Sequence, residues 1–305
     1  MPDHFRVLFP RFAMTKLPCG KVAVVTRTYD RPLLLQRACD SILGQSFQDF
    51  LWVIANNGGS PEPVEEIAAR ARAQGVSVLV QHVEATGIEA ASNVAIAACG
   101  SEYVVIHDDD DRWAADFLAA TVEFLDSRPA LAGVVTASIQ VKERIEGDAV
   151  IELSRAPFNP WVQGIQLVDL AQRNLFPPIA LLFRRSAWVA AGGFDEGLPV
   201  LGDWDFNLKV LRRADLGFIP RPLAYYHIRP SVAEDQAAYG NTVTAGLSKF
   251  QEYDPLIRNR MLRADLECGR VGLGWLVALG RQHNAMWEVL RSMDANLREH
   301  NDKVS

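Results

Sequence analysis

Apolar, β-branched strands alternate with helical segments from Lys21 onwards, and this alternation constrains the fold more than any other feature of the sequence. The predicted strands cover 22–26, 50–55, 76–80 and 103–106, and the predicted helices cover 31–43, 62–74, 87–98 and 113–125. Strands that alternate with helices in this way pair in parallel through right-handed crossovers. We therefore predict an α/β fold with a Rossmann-like, open, mostly parallel sheet flanked by helices.

After Leu131 the pattern changes. Strands are predicted over 132–141, 179–184 and 223–228, a hairpin over 141–155 with its turn at Gly147-Asp148, and helical segments over 186–191 and 203–213. Ser186 is the expected cap of the first of these helical segments. The prolines within 156–178 predict a long, mobile connection, and beyond Glu234 the pattern is helical almost to the end.

Composition and charge are those of an ordinary soluble protein. The chain has 305 residues, of which 49% are hydrophobic and 22% charged, and its net charge of −6 does not favour nucleic acid as a partner. Four scattered cysteines without a CxxC pair are typical of reduced thiols, not of a disulfide framework or a zinc site. The sequence shows neither a signal peptide before Lys21 nor an apolar stretch of roughly 18 residues that could span a bilayer. We expect a cytoplasmic protein, and attachment to the inner face of a membrane stays open.

Three polar clusters directly follow predicted strands. They cover 27–31, 56–60 and 107–111. In sheets of this kind, ligands bind outside the carboxyl ends of the parallel strands. We therefore expect the three clusters to converge on a binding site at one edge of the sheet.

The cluster at 107–111 is a histidine followed by four consecutive aspartates. Adjacent carboxylates repel one another, and a core cannot absorb them unpaired. Oxygen ligands at this density suit Mg²⁺ or Mn²⁺, which usually complete their shells with phosphate oxygens. The run predicts a metal–diphosphate site. The alternative is a solvated loop in which Asp111 caps a helix that begins near Trp113.

The other two clusters also admit structural explanations. Asp30 is a plausible cap for the helix that Pro32 opens, whereas Thr26 and Thr28 could contact a nucleotide at the strand end. Asn57 belongs to an Asn-Gly turn, yet its amide both donates and accepts hydrogen bonds and could read the edge of a base.

Three positions in the second half of the chain are candidates for catalysis or ligand binding. Asp203, at the start of a predicted helix, is either a cap or a general base that deprotonates an acceptor hydroxyl. His227, at the end of a predicted strand, is either a surface or core residue or a ligand of a metal or phosphate. Arg229 either pairs with phosphate or faces solvent.

Together, these stretches resemble the inverting glycosyltransferases of family two, which have the GT-A fold. The matching stretches occur in the family's order over about residues 21–230. They are VVTRTYDR (24–31), SILGQS (41–46), NNG (56–58), ASN (91–93), DDDD with the following tryptophan (108–113), GGFD (192–195) and GDWD (202–205). Each stretch is weak alone, and the ordered series is specific.

The resemblance implies roles for the acidic run. Asp108 and Asp110 match the family's Asp-x-Asp motif, which holds a divalent metal and contacts the nucleotide sugar. Because four acids are adjacent, Asp109 or Asp111 could supply one of these contacts instead.

Further positions carry over from the same family. Asp203 matches the acid of the Glu-Asp motif that acts as general base, and Gly202 stands where the family has the glutamate. His227 resembles the histidine that some members place near the metal and diphosphate. The positions implied for nucleotide-sugar binding are Thr26, Thr28, Asp30, Asn57, Asn93, Asp108 and Asp109, and those for the metal are Asp108, Asp110 and His227.

The resemblance further implies an activity and a domain organisation. The activity is inverting transfer, dependent on Mn²⁺ or Mg²⁺, of a sugar from a nucleotide-diphosphate sugar, UDP-linked in our interpretation, to a hydroxyl of a glycan or lipid-linked saccharide, as in polysaccharide biosynthesis. The expected parts are a leader (1–20), a GT-A domain (21–232) with a nucleotide-sugar half (21–112) and an acceptor half (113–232), and a helical C-terminal extension (233–305). The extension lies beyond the family's matching stretches. We expect it to pack on the catalytic domain or on another subunit of a homo-oligomer, or to form a lid or an amphipathic surface for a lipid-linked acceptor with peripheral membrane contact.

Two other classes of protein compete with this interpretation. A sugar-phosphate nucleotidyltransferase also has an open sheet and metal-binding acids, but it usually needs an N-terminal glycine-rich phosphate loop, and 22–31 contains no glycine. A non-catalytic carbohydrate-binding protein on the same fold would not need Asp203 together with an intact acidic run.

Overall fold

The computed structural model describes residues 17–229, 239–240 and 247–304. Most of the predicted leader (1–16) and the predicted domain boundary after residue 232 lie outside the described residues. Contacts divide the chain into a larger unit that ends at Phe250 and a smaller unit that begins at Gln251.

Nine strands and seven helices of the larger unit position the site. The strands are β1 (Val22–Thr28), β2 (Phe50–Asn57), β3 (Ser77–Val83), β4 (Tyr103–Ile106), β5 (Arg112–Trp113), β6 (Gly133–Glu146), β7 (Ala149–Phe158), β8 (Leu181–Arg184) and β9 (Leu216–Ile228). The helices are α1 (Pro32–Leu43), α2 (Pro61–Ala73), α3 (Ile88–Ala97), α4 (Phe117–Asp126), α5 (Leu167–Gln172), α6 (Arg185–Ala191) and α7 (Gly202–Leu211).

The strands form one mixed sheet with the order β3-β2-β1-β4-β8-β6-β9-β5, and β7 pairs with β6. The first four strands are parallel, as the alternation predicts. Beyond β4 the sheet is mixed, because β8 is antiparallel to both β4 and β6, and β6 is parallel to β9. The α/β class is confirmed, and parallel pairing dominates only the first half of the sheet.

Register brings the ends of the central strands together. Val25 of β1 lies opposite Ile106 of β4, and Thr28 lies opposite Asn56 of β2. The backbone amide of His107 continues this ladder by donating to the carbonyl of Val25 at 2.8 Å. The three polar clusters therefore lie at one edge of the sheet, where the parallel strands end.

Three expected helix caps are wrong. The helix predicted from Trp113 begins at Phe117, because Trp113 belongs to β5, which pairs with β9. The carboxylate of Asp111 caps no helix and accepts from the backbone amide of His227 at 2.7 Å. Asp30 accepts from the backbone amide of Ser60 at 2.7 Å, and Ser186 lies inside α6.

The segment 156–178 is more ordered than predicted. Strand β7 continues to Phe158, helix α5 covers Leu167–Gln172, and the Asn159 side chain donates to the carbonyl of Leu175 at 3.0 Å. The predicted hairpin is confirmed, since Glu146 pairs with Ala149 on either side of the Gly147-Asp148 turn.

The C-terminal part of the described chain is helical, as predicted. It consists of α8 (Leu247–Glu267) and α9 (Leu273–Val304). Helix α9 carries many exposed apolar side chains. They include Leu273, Trp275, Val277, Leu279, Met286, Trp287, Val289, Leu290 and Met293. Within the described residues, we find no helix whose length and hydropathy would let it traverse a bilayer.

Candidate active site

A cleft of about 350 Å³ lies at the edge where the parallel strands end. Strand β1, helix α3, the loop after β4 and the start of α7 all contribute side chains to it. The charged residues that line it are Arg27, Arg31, Glu89, Asp108, Asp110, Asp111 and Asp203. The fold therefore brings the acidic run and Asp203 to one cavity, although they are far apart in the sequence.

The four aspartates of the run differ in exposure. The side chains of Asp108 and Asp110 are 23% and 10% exposed, whereas that of Asp109 is fully buried. Arg27 binds Asp108 through two nitrogens, with Nε 2.8 Å from Oδ1 and Nη2 2.8 Å from Oδ2. Asp109 instead turns inward, where it accepts from Arg31 Nε at 3.0 Å.

Asp110 belongs to a buried ion network. Arg229, whose side chain is fully buried, donates to Asp110 and, at 2.5 Å, to Glu143 of β6. Arg37 of α1 donates to the same Glu143 carboxylate at 2.8 Å. Burial opposes the charge of Glu143, but the hydrogen bonds from His227 and Arg37 outweigh it and lower the pKa of Glu143 to about 2. We call Asp110, Glu143, Arg37 and Arg229 the paired cluster.

His227 adjoins the paired cluster with both ring nitrogens occupied. Its Nδ1 is 2.6 Å from Glu143 Oε2, and its Nε2 accepts from Arg112 Nε at 3.1 Å. Burial lowers the pKa of His227, so the ring is neutral near pH 7. Each ring nitrogen of His227, the predicted metal ligand, therefore already has a hydrogen-bond partner.

Asp203 lies in the first turn of α7 and lines the same cleft. The residue before this helix, Leu201, has φ of 64°, a conformation that costs energy for a side chain of its size. The Asn174 side chain donates to Asp203 Oδ2 at 2.6 Å. Burial raises the pKa of Asp203, while the Trp204 amide, Arg27 and Asn174 act against that rise.

Asp203 is half-buried, whereas Glu89 of α3, a second carboxyl that lines the cleft, is buried. Its side chain is 4% exposed, and Arg27 Nη1 is 3.8 Å from its Oε2. Burial raises the pKa of Glu89 to about 8, with Arg27 acting against the rise and Asp203 adding to it. We call Glu89, Asp203 and Asn174 the carboxyl wall.

Several residues predicted for the nucleotide sugar do not line the cleft. The Thr26 hydroxyl accepts from Trp52 Nε1 in the core, and Thr28 hydrogen-bonds to the buried Asp109. Asn57 Oδ1 accepts from the backbone amide of Thr86 at 3.1 Å.

Asn93, another residue predicted for the nucleotide sugar, connects α3 to the turn after α6. Its side chain donates to the Phe194 carbonyl at 2.9 Å and accepts from the Phe194 amide at 3.0 Å. Trp188 Nε1 donates to the same Asn93 oxygen at 3.2 Å. These bonds give Asn93 a structural role at this position.

Four residues of the site are not identified from the sequence. Arg27 lies within a polar cluster, but its partner Asp108 is distant in the chain. Glu89 and Asn174 occur in segments that show only a helical pattern and prolines, and Glu143 belongs to a strand predicted as part of a hairpin. On β6, Glu143 alternates with the apolar residues Val141 and Ile145, and this pattern in the sequence could have indicated that Glu143 is buried.

The cleft has the donor chemistry of a Mg²⁺ or Mn²⁺ site. Asp108 and Asp110 bring carboxylate oxygens to its surface. Burial and the neighbouring carboxylates raise the pKa values of Asp109 and Asp111, which favours their neutral forms, whereas Arg31 and Arg229 lower the pKa of Asp110 and keep it charged. Residues 17–229, 239–240 and 247–304 contain no ready-made cage of three or more such ligands. Mg²⁺ is commonly held by one or two carboxylates together with substrate phosphates, and Asp108 and Asp110 are the residues that could supply them here.

Comparison with known families and proteins gives a consistent result. The model of the family described as glycosyl transferase family 2 matches residues 23–188. A PGL/p-HBAD biosynthesis glycosyltransferase of Mycobacterium bovis is 22% identical over 61% of this chain and 68% of that protein.

Solved structures show the same fold. TarS 1-349 of S. aureus in complex with UDP is similar with a TM-score of 0.52 and 17% identity, over 69% of this chain and 61% of that one. The alignment thus spans less than two thirds of that TarS chain. The mannosyltransferase PcManGT of Pyrobaculum calidifontis, in complex with GDP-Man and Mn²⁺, has a TM-score of 0.52 and 16% identity over 91% of this chain and 85% of that one. The predicted GT-A type fold is confirmed.

Proposed function

This chain belongs to glycosyl transferase family 2, and from that premise we propose that it transfers a sugar, with inversion, from a UDP-linked donor to a hydroxyl of a glycan or lipid-linked saccharide. The similar TarS structure with UDP-GlcNAc and the PcManGT structure with GDP-Man and Mn²⁺ support a nucleotide-sugar donor and a divalent ion. The nucleotide base and the sugar of the donor that this chain uses are part of the proposal.

One observation carries the proposal. Asp110 and Asp203 line the same cleft of about 350 Å³. Inverting transfer needs a cationic environment for the leaving diphosphate on one side of the sugar and a base for the incoming hydroxyl on the other. The acidic run with its arginines, together with the half-buried carboxyl of Asp203 in the same cleft, supports both requirements.

The acidic run would bind the donor. Asp108 and Asp110 are the residues that would hold Mn²⁺ or Mg²⁺, which, when bound, neutralises charge on the leaving diphosphate. Arg27 and Arg31 also line the cleft, and their positive charges would stabilise the diphosphate while their paired nitrogens stay bound to Asp108 and Asp109. Both arginines are held by aspartates of the run, so their positions do not depend on the substrate.

Asp203 would act as the general base. Its carboxylate accepts the proton of the acceptor hydroxyl while that oxygen forms a bond to the anomeric carbon and the bond to the diphosphate breaks. Because the oxygen enters opposite the leaving group, the configuration inverts. Asn174 orients the carboxylate by its hydrogen bond, and burial raises the pKa of Asp203, which strengthens it as a base.

The exposed apolar side chains of α9 support a peripheral contact with a membrane that presents a lipid-linked acceptor. Trp275 and Trp287 are 61% and 47% exposed on this helix. Amphipathic surfaces of this kind bury their apolar side chains in the lipid interface. Flotation on anionic liposomes checks this part of the proposal, and a protein that stays in the soluble fraction would leave α9 to a protein partner or a second subunit.

Nucleotide release tests the enzymatic proposal. The protein is incubated with Mn²⁺ and either UDP-GlcNAc or GDP-mannose, with and without a panel of glycan and glycolipid acceptors, and nucleoside diphosphate is measured. We expect release from the UDP sugar that an acceptor stimulates, that EDTA abolishes and that Mn²⁺ or Mg²⁺ restores. Release of pyrophosphate from UTP and a sugar phosphate would indicate the nucleotidyltransferase instead, and undiminished turnover in EDTA would contradict the role of the metal.

A further inference from the structure

Glu89 is a buried carboxyl of the cleft that the mechanism above does not use. Its side chain is 4% exposed, yet it lines the same cavity as Asp203. Its Oε2 atom is buried and has no hydrogen-bond partner among the described residues. A carboxyl oxygen without a partner at this depth costs stability, so its position calls for a ligand that completes it.

The carboxyl group of Glu89 occupies the space above Gly202, the residue before Asp203. A Cβ atom built on Gly202 would overlap both the carboxyl carbon and Oε1 of Glu89. The backbone of Gly202 is helical and does not require glycine for its φ. Position 202 therefore needs glycine because the carboxyl group of Glu89 on α3 fills the space that a side chain there would occupy.

The charged groups around Glu89 determine whether its carboxyl group holds a proton. Arg27 of β1 is the nearest cation, at 3.8 Å, and it is already committed to Asp108. Asp203 and Asp205 of α7 and Asp108 after β4 repel a negative charge on Glu89, in addition to the effect of burial. Near pH 7 the group is therefore largely a neutral acid, which can both donate and accept a hydrogen bond.

We propose that Glu89 is an acceptor-binding residue, which holds a hydroxyl of the acceptor sugar next to the hydroxyl that Asp203 deprotonates. The inference rests on the proposed function and deepens it, because it assigns recognition of the acceptor to α3. Two neighbouring hydroxyls of a saccharide would then meet two neighbouring carboxyl groups, one neutral and one ionised.

The first test separates acceptor binding from donor binding. Glu89→Ala and Glu89→Gln are compared with wild type and with Val94→Ala, an exposed position on the same helix outside the cleft. Initial rates at pH 7 give kcat and the acceptor KM, and calorimetry gives the Kd of UDP in Mn²⁺. We expect Glu89→Ala to lower kcat/KM for the acceptor by about tenfold or more, as the loss of one substrate hydrogen bond does. The Kd of UDP should stay unchanged, and Val94→Ala should match wild type.

Glu89→Gln distinguishes a neutral hydrogen-bonding group from a charged one. An amide also donates and accepts, so this variant should keep most of the acceptor kcat/KM at pH 7. Above pH 8 the wild-type value should fall relative to that of Glu89→Gln, because only the wild-type side chain ionises.

The double variant Glu89→Ala/Gly202→Glu moves the carboxyl from α3 to α7. It should recover at least part of the acceptor kcat/KM that Glu89→Ala loses. Gly202→Glu alone should unfold at a lower temperature than wild type, because the two side chains would overlap.

Several results would overturn the inference. They are a folded Glu89→Ala with wild-type acceptor kinetics, a UDP affinity that falls in parallel with activity, or a folded Glu89→Gln that is as impaired as Glu89→Ala at pH 7. If Glu89→Ala does not fold, Glu89→Gln and the double variant decide the matter. A wild-type protein that releases no nucleoside diphosphate from any donor overturns the proposed function itself. An active wild type whose acceptor kinetics do not change when Glu89 is replaced overturns this inference alone.

Discussion

The paired cluster and the carboxyl wall hold buried carboxylates by opposite means. In the paired cluster, Arg229 and Arg37 surround Glu143 and Asp110, and the pKa values of both acids are lowered. In the carboxyl wall, burial dominates, and the pKa values of Glu89 and Asp203 are raised. Burial acts to raise the pKa in both regions, and only in the paired cluster do the guanidinium groups, with His227, outweigh it.

The opposite pKa shifts suit the paired cluster and the carboxyl wall to different tasks. The acids of the paired cluster, whose pKa values are lowered, stay ionised at physiological pH and hold Arg37 and Arg229 in place beside the acidic run. Raised pKa values suit the two proposed roles in the carboxyl wall, because they make Asp203 a stronger base and leave on Glu89 a proton that it can donate in a hydrogen bond. The variants below test whether the two regions can be disrupted independently.

The largest expected effect separates the base from the donor site. Asp203→Asn should lower transfer by about two to four orders of magnitude, because the amide cannot take the proton, and should leave UDP affinity in Mn²⁺ near wild type. Asp110→Asn should instead weaken Mn²⁺-dependent binding of UDP. Initial rates of transfer and calorimetry of UDP binding, measured on both variants, check these two predictions. Full turnover in Asp203→Asn would show that another group is the base.

The next effect concerns stability in the paired cluster. Arg229→Met should lower the free energy of unfolding by about 3–5 kcal/mol, because it leaves Asp110 and Glu143 buried without this guanidinium. Arg221→Met, which breaks an exposed pair with Asp116, should cost less than about 1 kcal/mol. Urea unfolding measures both values, and equal losses would mean that Arg229 is not the centre of a buried network.

The smallest effect is a pH dependence in the carboxyl wall. The pKa of Glu89 is raised from 4.5 to about 8 on folding, so between these values the native state holds a proton that the unfolded state has lost. Stability must then fall as pH rises through this window, by up to about 1.4 kcal/mol per pH unit for one group. Glu89→Gln removes this slope, and its stability relative to wild type should grow by about 2 kcal/mol between pH 5 and pH 7. Parallel stability–pH curves for the two proteins would contradict a neutral Glu89.

Part of the site follows from local pattern. The acidic run directly follows a strand whose apolar residues mark it as buried, and parallel pairing then places the run at the ligand-binding edge. Asp203 begins a helix with clear spacing, and its position at the helix start is seen in the structure. Both placements depend on residues that are close in sequence.

The remaining contacts could not be predicted in this way. The caps expected from Asp30, Asp111 and Ser186 are absent, because each cap position is compatible with several local structures and tertiary partners decide between them. His227 stays a predicted metal ligand, and its sequence neighbours did not indicate that Glu143 and Arg112 would bind its ring nitrogens.

The sequence by itself determined the alternation of strands and helices, and therefore which loops share an edge of the sheet and where acidic ligands would lie. Tertiary structure alone decided which aspartates face the cleft, which arginine each one binds, and that Glu89 fills the space above Gly202. Strand and helix periodicity is a local property of the chain. Charge pairing and the filling of space depend on ångström-scale distances between segments that only the folded sheet brings together.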